Sequence, residues 1–384
     1  MEQDTLKDKI RGCLMAGAAG DALGFEVEFM SLRAILSRFG EQGITKFALD
    51  DNCKALISDD TQMTLFTANG LLNTSHLKIE PRFALVRAYV DWYYTQIGKK
   101  NKKNSCWISD IEALHSLRAP GNTCMSALDA IARGMEPCNN SKGCGGIMRV
   151  APISLYASAG DYFTELQIAR LAADAAECTH QHPLGFLPAS LFAVFLSKLL
   201  TMSSREVQDK IDGLVEETLH ILDVIYKGKY ENDKDYLKRL TEKAVNLAHS
   251  DVSDTDAIRE LGEGWVAEET WAIALYCAIR HIDSVEDAII ASVNHDGDSD
   301  STGSVCGNIM GAIYGYEHIK NRNILSPEGK KLEETLELSE IILALADDLS
   351  SGSAYSESAP IDTPEKRQWY ERYCMMKPAG IGNV

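Results

Sequence analysis

Two glycine ladders constrain this chain more than any other feature. Gly12, Ala16, Gly20 and Gly24 recur every four residues near the N-terminus, and Gly303, Gly307, Gly311 and Gly315 repeat the pattern far along the chain. A four-residue interval puts such positions on one face of a helix. Glycine inside a helix costs about 1 kcal/mol relative to alanine, so a whole face of small residues needs a reason. Close approach of a second backbone supplies one. In lipid the pattern would suggest helix dimers. Here Asp21 and its polar neighbours argue instead for two central helices of a soluble core. The ladders are candidates to pack on each other, a pairing that spacing alone does not decide.

Helical periodicity dominates the rest of the chain. Residues 61–72, 82–97, 164–177, 188–200, 206–227, 235–249, 266–281 and 330–349 read as helices, and no run alternates as a strand would. The connections are short and contain Gly, Pro or Asn. The expected fold is all-α, with one large domain over residues 1–350. The stretch "SGSAYSESAP" (351–360) reads as a linker. The remainder of 351–384 reads as a short helical tail that packs on the core or meets a partner.

A chain of 384 residues can bury roughly three quarters of its unfolded surface. Its formal net charge of −18 disfavours intact nucleic acid as a partner. A small nucleotide at a locally positive or metal-loaded site is still compatible with that charge. The ten cysteines are scattered without C-x-x-C pairs, which argues against a disulfide framework or zinc ribbon and for reduced core residues in a cytoplasmic protein. The N-terminal apolar run is short and meets Asp21, unlike a signal peptide. No uninterrupted apolar run of about 18 residues suggests a membrane span. A monomer is expected.

Charge is crowded where it is least expected. "NHDGDSDSTGS" (294–304) carries Asp296, Asp298 and Asp300 at alternate positions, and "ISDDTQMTLF" carries Ser58, Asp59 and Asp60. Both segments precede a helix. Either one alone is explained by capping, since Ser and Asp suit a helix N-terminus. Together they exceed what a cap needs. Packed near each other, Asp59, Asp60, Asp298 and Asp300 would repel unless a cation neutralised them. An all-oxygen set with Ser58 and Ser301 suits Mg²⁺, Mn²⁺ or Ca²⁺ better than zinc, and four carboxylates can hold two ions. An EF-hand does not fit, because counting from Asp296 Ser301 stands where Gly is needed and Gly307 where a Glu is needed.

Weaker features surround these. Glu26 and Glu28 follow the first ladder. "NNSKGCGGIMRVAP" (139–152) is a glycine-rich loop leading into a helix, able to turn N–H groups toward a phosphate but lacking the G-K-[ST] of a Walker motif. Asn122 and Thr123 read as helix caps, His180 and His182 as loop histidines, and Trp265 as a core or base-stacking ring.

In this order, "GCLMAGAAGDALGFEVEF", "SDDTQM", "RAPGNT", "GCGGIMRVAP", "THQHPLG", "GWVAEETWAIALYCAI" and "NHDGDSDSTGSVCGNIMGAIYG" resemble the ADP-ribosylglycohydrolase family over roughly residues 8 to 320. That family includes the dinitrogenase reductase-activating glycohydrolases and the ADP-ribosylarginine hydrolases. The pairing of "SDDT" with "GDSDSTG" is the specific part. The resemblance implies an all-α orthogonal bundle with a dinuclear Mg²⁺ or Mn²⁺ centre in a cleft. Ser58, Asp59 and Asp60 would lie on one side of the metals and Asp298, Asp300 and Ser301 on the other. Glu28 matches a loop glutamate that contacts a metal or acts in acid–base chemistry. Glu28, Asp60 and Asp298 are therefore the catalytic candidates. The distal ribose hydroxyls of an ADP-ribosyl group would bind at the metals. Gly143, Cys144, Gly145 and Gly146 would cradle its phosphates, with His180, Trp265 and Asn122 as further substrate contacts. Two positions depart from the family pattern. Asp296-Gly297 replaces a doubled glycine, which suggests Asp296 orients a metal water, and Cys144 stands where some members have Asn.

The implied reaction is hydrolysis at C1″ of ADP-ribose through an oxocarbenium-like transition state. Arginine is the first acceptor to consider. Serine-linked ADP-ribose, O-acetyl-ADP-ribose or another small ADP-ribosyl compound are the others. The competing readings are an HD-type phosphohydrolase, suggested by His295-Asp296 alone, and a non-catalytic ADP-ribose binder.

Overall fold

The computed structural model describes residues 3–160, 163–351 and 361–374. Among them there is no strand, only helices and two isolated bridges, Ala55 with Leu336 and Gly143 with Val266. The linker reading falls almost entirely on residues 352–360, outside the described residues.

The ladders meet. The helices Gln3–Phe25 and Ser299–Tyr314 run antiparallel along their length at the centre of the core. A Cβ at Gly12 would fall 2.6 Å from the Gly311 carbonyl oxygen, one at Gly20 would fall 2.5 Å from the Gly303 carbonyl carbon, and one at Gly307 would fall 2.6 Å from that of Ala16. At the far end, a Cβ on Gly24 would lie 2.5 Å from the Asp300 amide nitrogen. The packing that removes side chains from this face thus carries Asp21 and Phe25 to the first turn of the second helix, where Asp300 sits.

Other helices wrap this pair. Pro183–Leu200 is 18 residues long with a mean hydropathy of 1.7, enough by length and composition to cross a membrane, although Ser190, Ser197 and Lys198 interrupt its apolar run. It is 89% buried inside the protein, as a central core helix is. It also starts earlier than the expected residue 188. His182 caps it, its Nδ1 accepting from the Leu184 N–H at 3.0 Å, and Pro188 lies inside the helix.

The expected helix at 330–349 is broken. Leu332–Thr335 and Ser339–Ser351 are separate, with Leu338 in the left-handed region. Tertiary pairing explains the break. The Ala55 N–H donates to the Thr335 carbonyl at 2.9 Å and the Glu337 N–H donates to the Ala55 carbonyl at 3.0 Å. The Glu337 carboxylate meets Arg118 at 2.9 Å and accepts from the Ile57 N–H at 3.1 Å. The break therefore braces the strand-like segment that ends in Ser58.

The tail helix, Pro364–Tyr373, packs on the core with Trp369 and Tyr373 buried. Tyr373 Oη donates to Asp348 at 2.8 Å, and Arg372 reaches the same carboxylate at 2.7 Å while lying over the Trp107 ring. Tyr373→Phe removes a hydrogen bond to a buried carboxylate, and we expect it to cost about 1–3 kcal/mol. The check is a lowered urea midpoint at unchanged slope.

Candidate metal centre

The acidic segments converge on two neighbouring clusters. One ligand oxygen each from Asp59, Asp60 and Asp300 lie within 4.8 Å of one another, and so do oxygens of Glu28, Asp298 and Asp300. Asp300 belongs to both. All five are buried, together with Ser58 and Ser301.

Each side is held by backbone. Ser58 caps the helix Asp59–Leu72, its Oγ accepting from the Asp60 N–H at 3.2 Å. The Asp59 N–H donates to the Arg118 carbonyl at 3.0 Å, and Asp59 Oδ2 accepts from the Gly121 N–H at 3.3 Å. On the other side the Asp298 N–H donates to the Glu263 carbonyl at 2.8 Å. Thr302 Oγ1 donates to the Asp298 carbonyl at 2.8 Å. Gly297 is required here: a Cβ would lie 2.7 Å from the Glu263 carbonyl carbon. Glu28 comes from the turn that follows the first ladder helix.

Asp21 has a role that the sequence reading missed. Fully buried at the end of the ladder helix, its carboxylate accepts from the Ser58 N–H at 3.0 and 3.1 Å, from the Thr61 N–H at 3.1 Å, and from the Thr61 hydroxyl. It therefore caps the Asp59–Leu72 helix from another helix and orients the Ser58–Asp60 segment. The signal was a carboxylate on the small-residue stripe, where only a specific partner offsets burial.

Several expected contacts are rearranged. Asp296 does not reach the cluster. It is exposed and accepts from the Leu32 N–H at 2.7 Å, because Gly297 turns the chain between it and Asp298. Asn122 is not a cap: Gly121 is the N-cap of the helix Asn122–Ala132, neither caps by side chain, and Asn122 is exposed. Thr123 instead hydrogen-bonds Ser141 at 3.1 Å. In the glycine-rich loop, the Gly143 N–H donates to Ser141 Oγ at 3.3 Å and the Cys144 N–H to the Trp265 carbonyl at 3.2 Å, so both donors are already committed. Gly145 is glycine because a Cβ would meet Cys124 Sγ and His180 Cε1, each at 2.8 Å. His180 is buried under this loop, with Nδ1 2.9 Å from Thr179 Oγ1, and burial lowers its pKa to about 3. Trp265 lies beside the loop, 39% exposed and stacked on Phe29, which is 74% exposed, at 5.9 Å. Phe29 adjoins Glu28 in sequence, so this aromatic pair joins the segment that bears Glu28 to the loop whose Glu263 carbonyl accepts from the Asp298 N–H.

The electrostatics suit a cation. Among the described residues no Lys, Arg or His makes an ion pair with Asp21, Glu28, Asp59, Asp60, Asp298 or Asp300. Glu28 Oε2, Asp60 Oδ1 and Asp298 Oδ2 are buried without a hydrogen-bond partner. Burial first, then neighbouring carboxylates, pushes Asp59, Asp60 and Asp298 well above the usual range, Glu28 to about 10 and Asp21 to about 7. Orphaned oxygens among crowded carboxylates fit hard divalent ions. No histidine joins either group, which removes the basis for an HD-type centre.

Comparison with known proteins agrees with this architecture. Residues 2–357 match the family described as ADP-ribosylglycohydrolase. The chain belongs to the ADP-ribosylglycohydrolase family. It is thereby an enzyme of the glycosyl hydrolase class. It is similar to the mouse protein named ADP-ribosylhydrolase ARH3, with 28% identity over 85% of this chain and 89% of the relative. It is also similar to ADP-ribosylarginine hydrolase Tri1 of Serratia proteamaculans, with 28% identity over 81% of this chain and 73% of the relative. A solved structure titled ADP-ribosylglycohydrolase-related protein complex shares the fold, with a TM-score of 0.58 and 23% identity over 91% of this chain and 99% of that one. In this family member the expected all-α fold is therefore present.

The crowded carboxylates are expected to make stability respond to metal and pH together. In chelator-treated protein Asp21 keeps a proton up to about pH 7 that the unfolded chain releases near 4. Its contribution is full below the unfolded value and is lost as pH rises through about 7. His180 and His295, lowered to about 3 and 4 by burial, act oppositely as pH falls below about 6.5. The clean readout is the Mg²⁺-induced rise in Tm, expected to be larger at pH 8 than at pH 5, because ions bind the deprotonated carboxylates.

Proposed function

We propose that this enzyme hydrolyses the glycosidic bond between ADP-ribose and an arginine side chain, reversing mono-ADP-ribosylation, with two Mg²⁺ or Mn²⁺ ions as cofactors. The observation that carries the reading is the buried pair of carboxylate groups with orphaned oxygens and no protein cation, in a chain of this family. Ser58, Asp59, Asp60 and Asp300 would hold one ion, and Glu28, Asp298, Asp300 and Ser301 the other. Divalent ions held there supply Lewis acidity toward hydroxyl oxygens and lower the pKa of water.

The chain's own residues do the rest. Glu28 and Asp298, each with an orphaned oxygen, are the carboxylates able to take a proton from the attacking water or pass one to the leaving group. Asp21 holds Ser58 to Thr61 in register. With the Gly143 and Cys144 amides engaged and the Gly146 N–H taken by the first turn of the 3-10 helix Cys144–Arg149, the Gly145 amide is the donor left for the diphosphate. The exposed Phe29–Trp265 pair can stack on a flat group. Arginine as the acceptor is supported by the chain's net charge of −18, which favours a cationic leaving group, and by the name of the Serratia relative. Ten cysteines with no disulfide among the described residues support a reducing, cytoplasmic setting, and we take the protein to act as a monomer on ADP-ribosylated protein or small molecules.

The test is release of free ADP-ribose from arginine-linked and serine-linked peptides and from O-acetyl-ADP-ribose, with Mg²⁺ and with chelator. Metal-dependent release from arginine is expected. Release only from serine or the acetyl ester would move the acceptor. Binding of ADP-ribose with no turnover of any substrate would overturn the enzyme reading.

A further inference from the structure

The turn that fixes Asp298 is itself fixed by a side chain outside the ligand set. Gly262, Glu263 and Gly264 form this turn, with both glycines at positive φ, 135° and 84°. It packs on Asp298: the Glu263 carbonyl accepts from the Asp298 N–H at 2.8 Å, and a Cβ at Gly264 would fall 3.4 Å from the Asp298 Cβ and 2.9 Å from Thr302 Cγ2. It also packs on Glu269, whose Oε2 accepts from the Glu263 N–H at 3.0 Å and from the Gly264 N–H at 3.2 Å. A Cβ at Gly262 would fall 2.6 Å from the Glu269 Cγ. Thr270 adds one bond, its Oγ1 donating to the Gly264 carbonyl at 2.7 Å. Both side chains stand near the start of the helix Ala267–Arg280, most of which is buried. Close packing does not enclose the turn. A cavity of about 370 Å³ adjoins it, lined by Gly262, Glu263, Glu269 and Asp296 among others, so hydrogen bonds decide where the turn sits.

We propose that Glu269, assisted by the Thr270 hydroxyl, is a positioning residue for the metal centre. By holding the Glu263 and Gly264 amides it sets the carbonyl that receives the Asp298 N–H, and so places the Asp298 carboxylate for the ion shared with Glu28 and Asp300. The inference rests on the metal reading of the acidic cluster. Bonds from backbone N–H groups to a carboxylate are charge-assisted and stronger than neutral ones. Removing an outer partner of a metal ligand costs about 10–100-fold in metal affinity. The group of Asp59, Asp60 and Asp300 is braced elsewhere, by Ser58, Gly121 and Asp21. The effect of Glu269 therefore falls on one ion of the two.

Mn²⁺ is the probe. The full-length, chelator-stripped protein is titrated with Mn²⁺, and the free aqua ion is counted by electron paramagnetic resonance. Wild type is expected to bind two ions. Glu269→Met keeps the stem that packs on Gly262 and lacks the acceptor. It should bind one ion at least about tenfold more weakly and the other within about threefold of wild type. Glu269→Gln retains an oxygen that can accept both N–H groups and should bind both ions within about threefold of wild type. Two sites of wild-type strength in Glu269→Met would overturn the proposal. Equal weakening of both ions would do the same, since general loosening would then be the cause, and so would equal effects of Met and Gln, since charge would be. If Glu269→Met does not fold by circular dichroism, the isosteric Thr270→Val decides. It loosens the same turn and should weaken one ion by at least about threefold, and two sites of wild-type strength there would overturn the proposal. Fewer than two ions in wild type would remove the two-ion reading and this proposal together. Failure of hydrolysis on arginine substrates would leave the titrations, and this inference, standing.

Discussion

Asp298→Ala is expected to lower ADP-ribose release by at least about a hundredfold to a thousandfold at saturating Mg²⁺, the scale on which one preorganised electrostatic group acts. The reason lies in how the side chain is held. Asp298 is buried, its backbone is tied to Glu263 and Thr302, and one of its oxygens has no protein partner. A group fixed this way contributes little to the fold and a great deal to whatever binds there. Its removal also relieves repulsion with Asp300 and Glu28. The metal-free variant should therefore be more thermostable than metal-free wild type, by about 2–4 °C for each kcal/mol relieved, and should gain less from Mg²⁺. Activity and stability move in opposite directions, which a merely structural aspartate would not produce. Initial rates together with melting curves, each with and without Mg²⁺, decide it. A variant within tenfold of wild-type rate would remove Asp298 from the machinery.

Gly307→Val is expected to abolish folding or to lower Tm by well over 10 °C. Its Cβ alone would lie 2.6 Å from the Ala16 carbonyl carbon and 3.0 Å from the Gly17 Cα. These are backbone atoms of the other ladder helix, not the flexible end of a side chain, so nothing local can yield. Overpacking in an ordinary core costs about 1–3 kcal/mol and sometimes more, against a total stability of about 5–15 kcal/mol. Separating two helices at the centre of the core belongs at the upper end, and it would also displace Asp21 from Ser58 and Thr61. Gly213→Ala is the matched control. Gly213 lies in the exposed part of the helix Ser204–Ile225, with nothing within 4 Å of an added Cβ, and alanine there should stabilise by up to about 1 kcal/mol. Parallel melting curves of both variants provide the check. Equal tolerance of the two substitutions would refute the close-packing account.

What the sequence determined by itself is whatever depends on spacing along one helix or on residue chemistry at one place. The four-residue ladders specified two smooth helix faces, and the acidic segments specified crowded charge at two helix starts. The long helices were legible, the short ones Leu32–Phe39, Asp254–Leu261, Val285–Val293 and Tyr316–Arg322 were not, and the ordered motifs carried the family. The tertiary structure decided which segments meet. It joined Asp21 to Ser58 and Thr61, and it set Gly297 against Glu263, turning Asp296 away to Leu32. It broke the 330–349 helix so that Glu337 could brace Ile57. These partners are far apart in the chain or separated by a turn whose direction a glycine leaves open. Periodicity reports which face of an element is apolar or small. It carries no information on which distant backbone group will stand opposite a given carboxylate, because packing of the whole core fixes that distance.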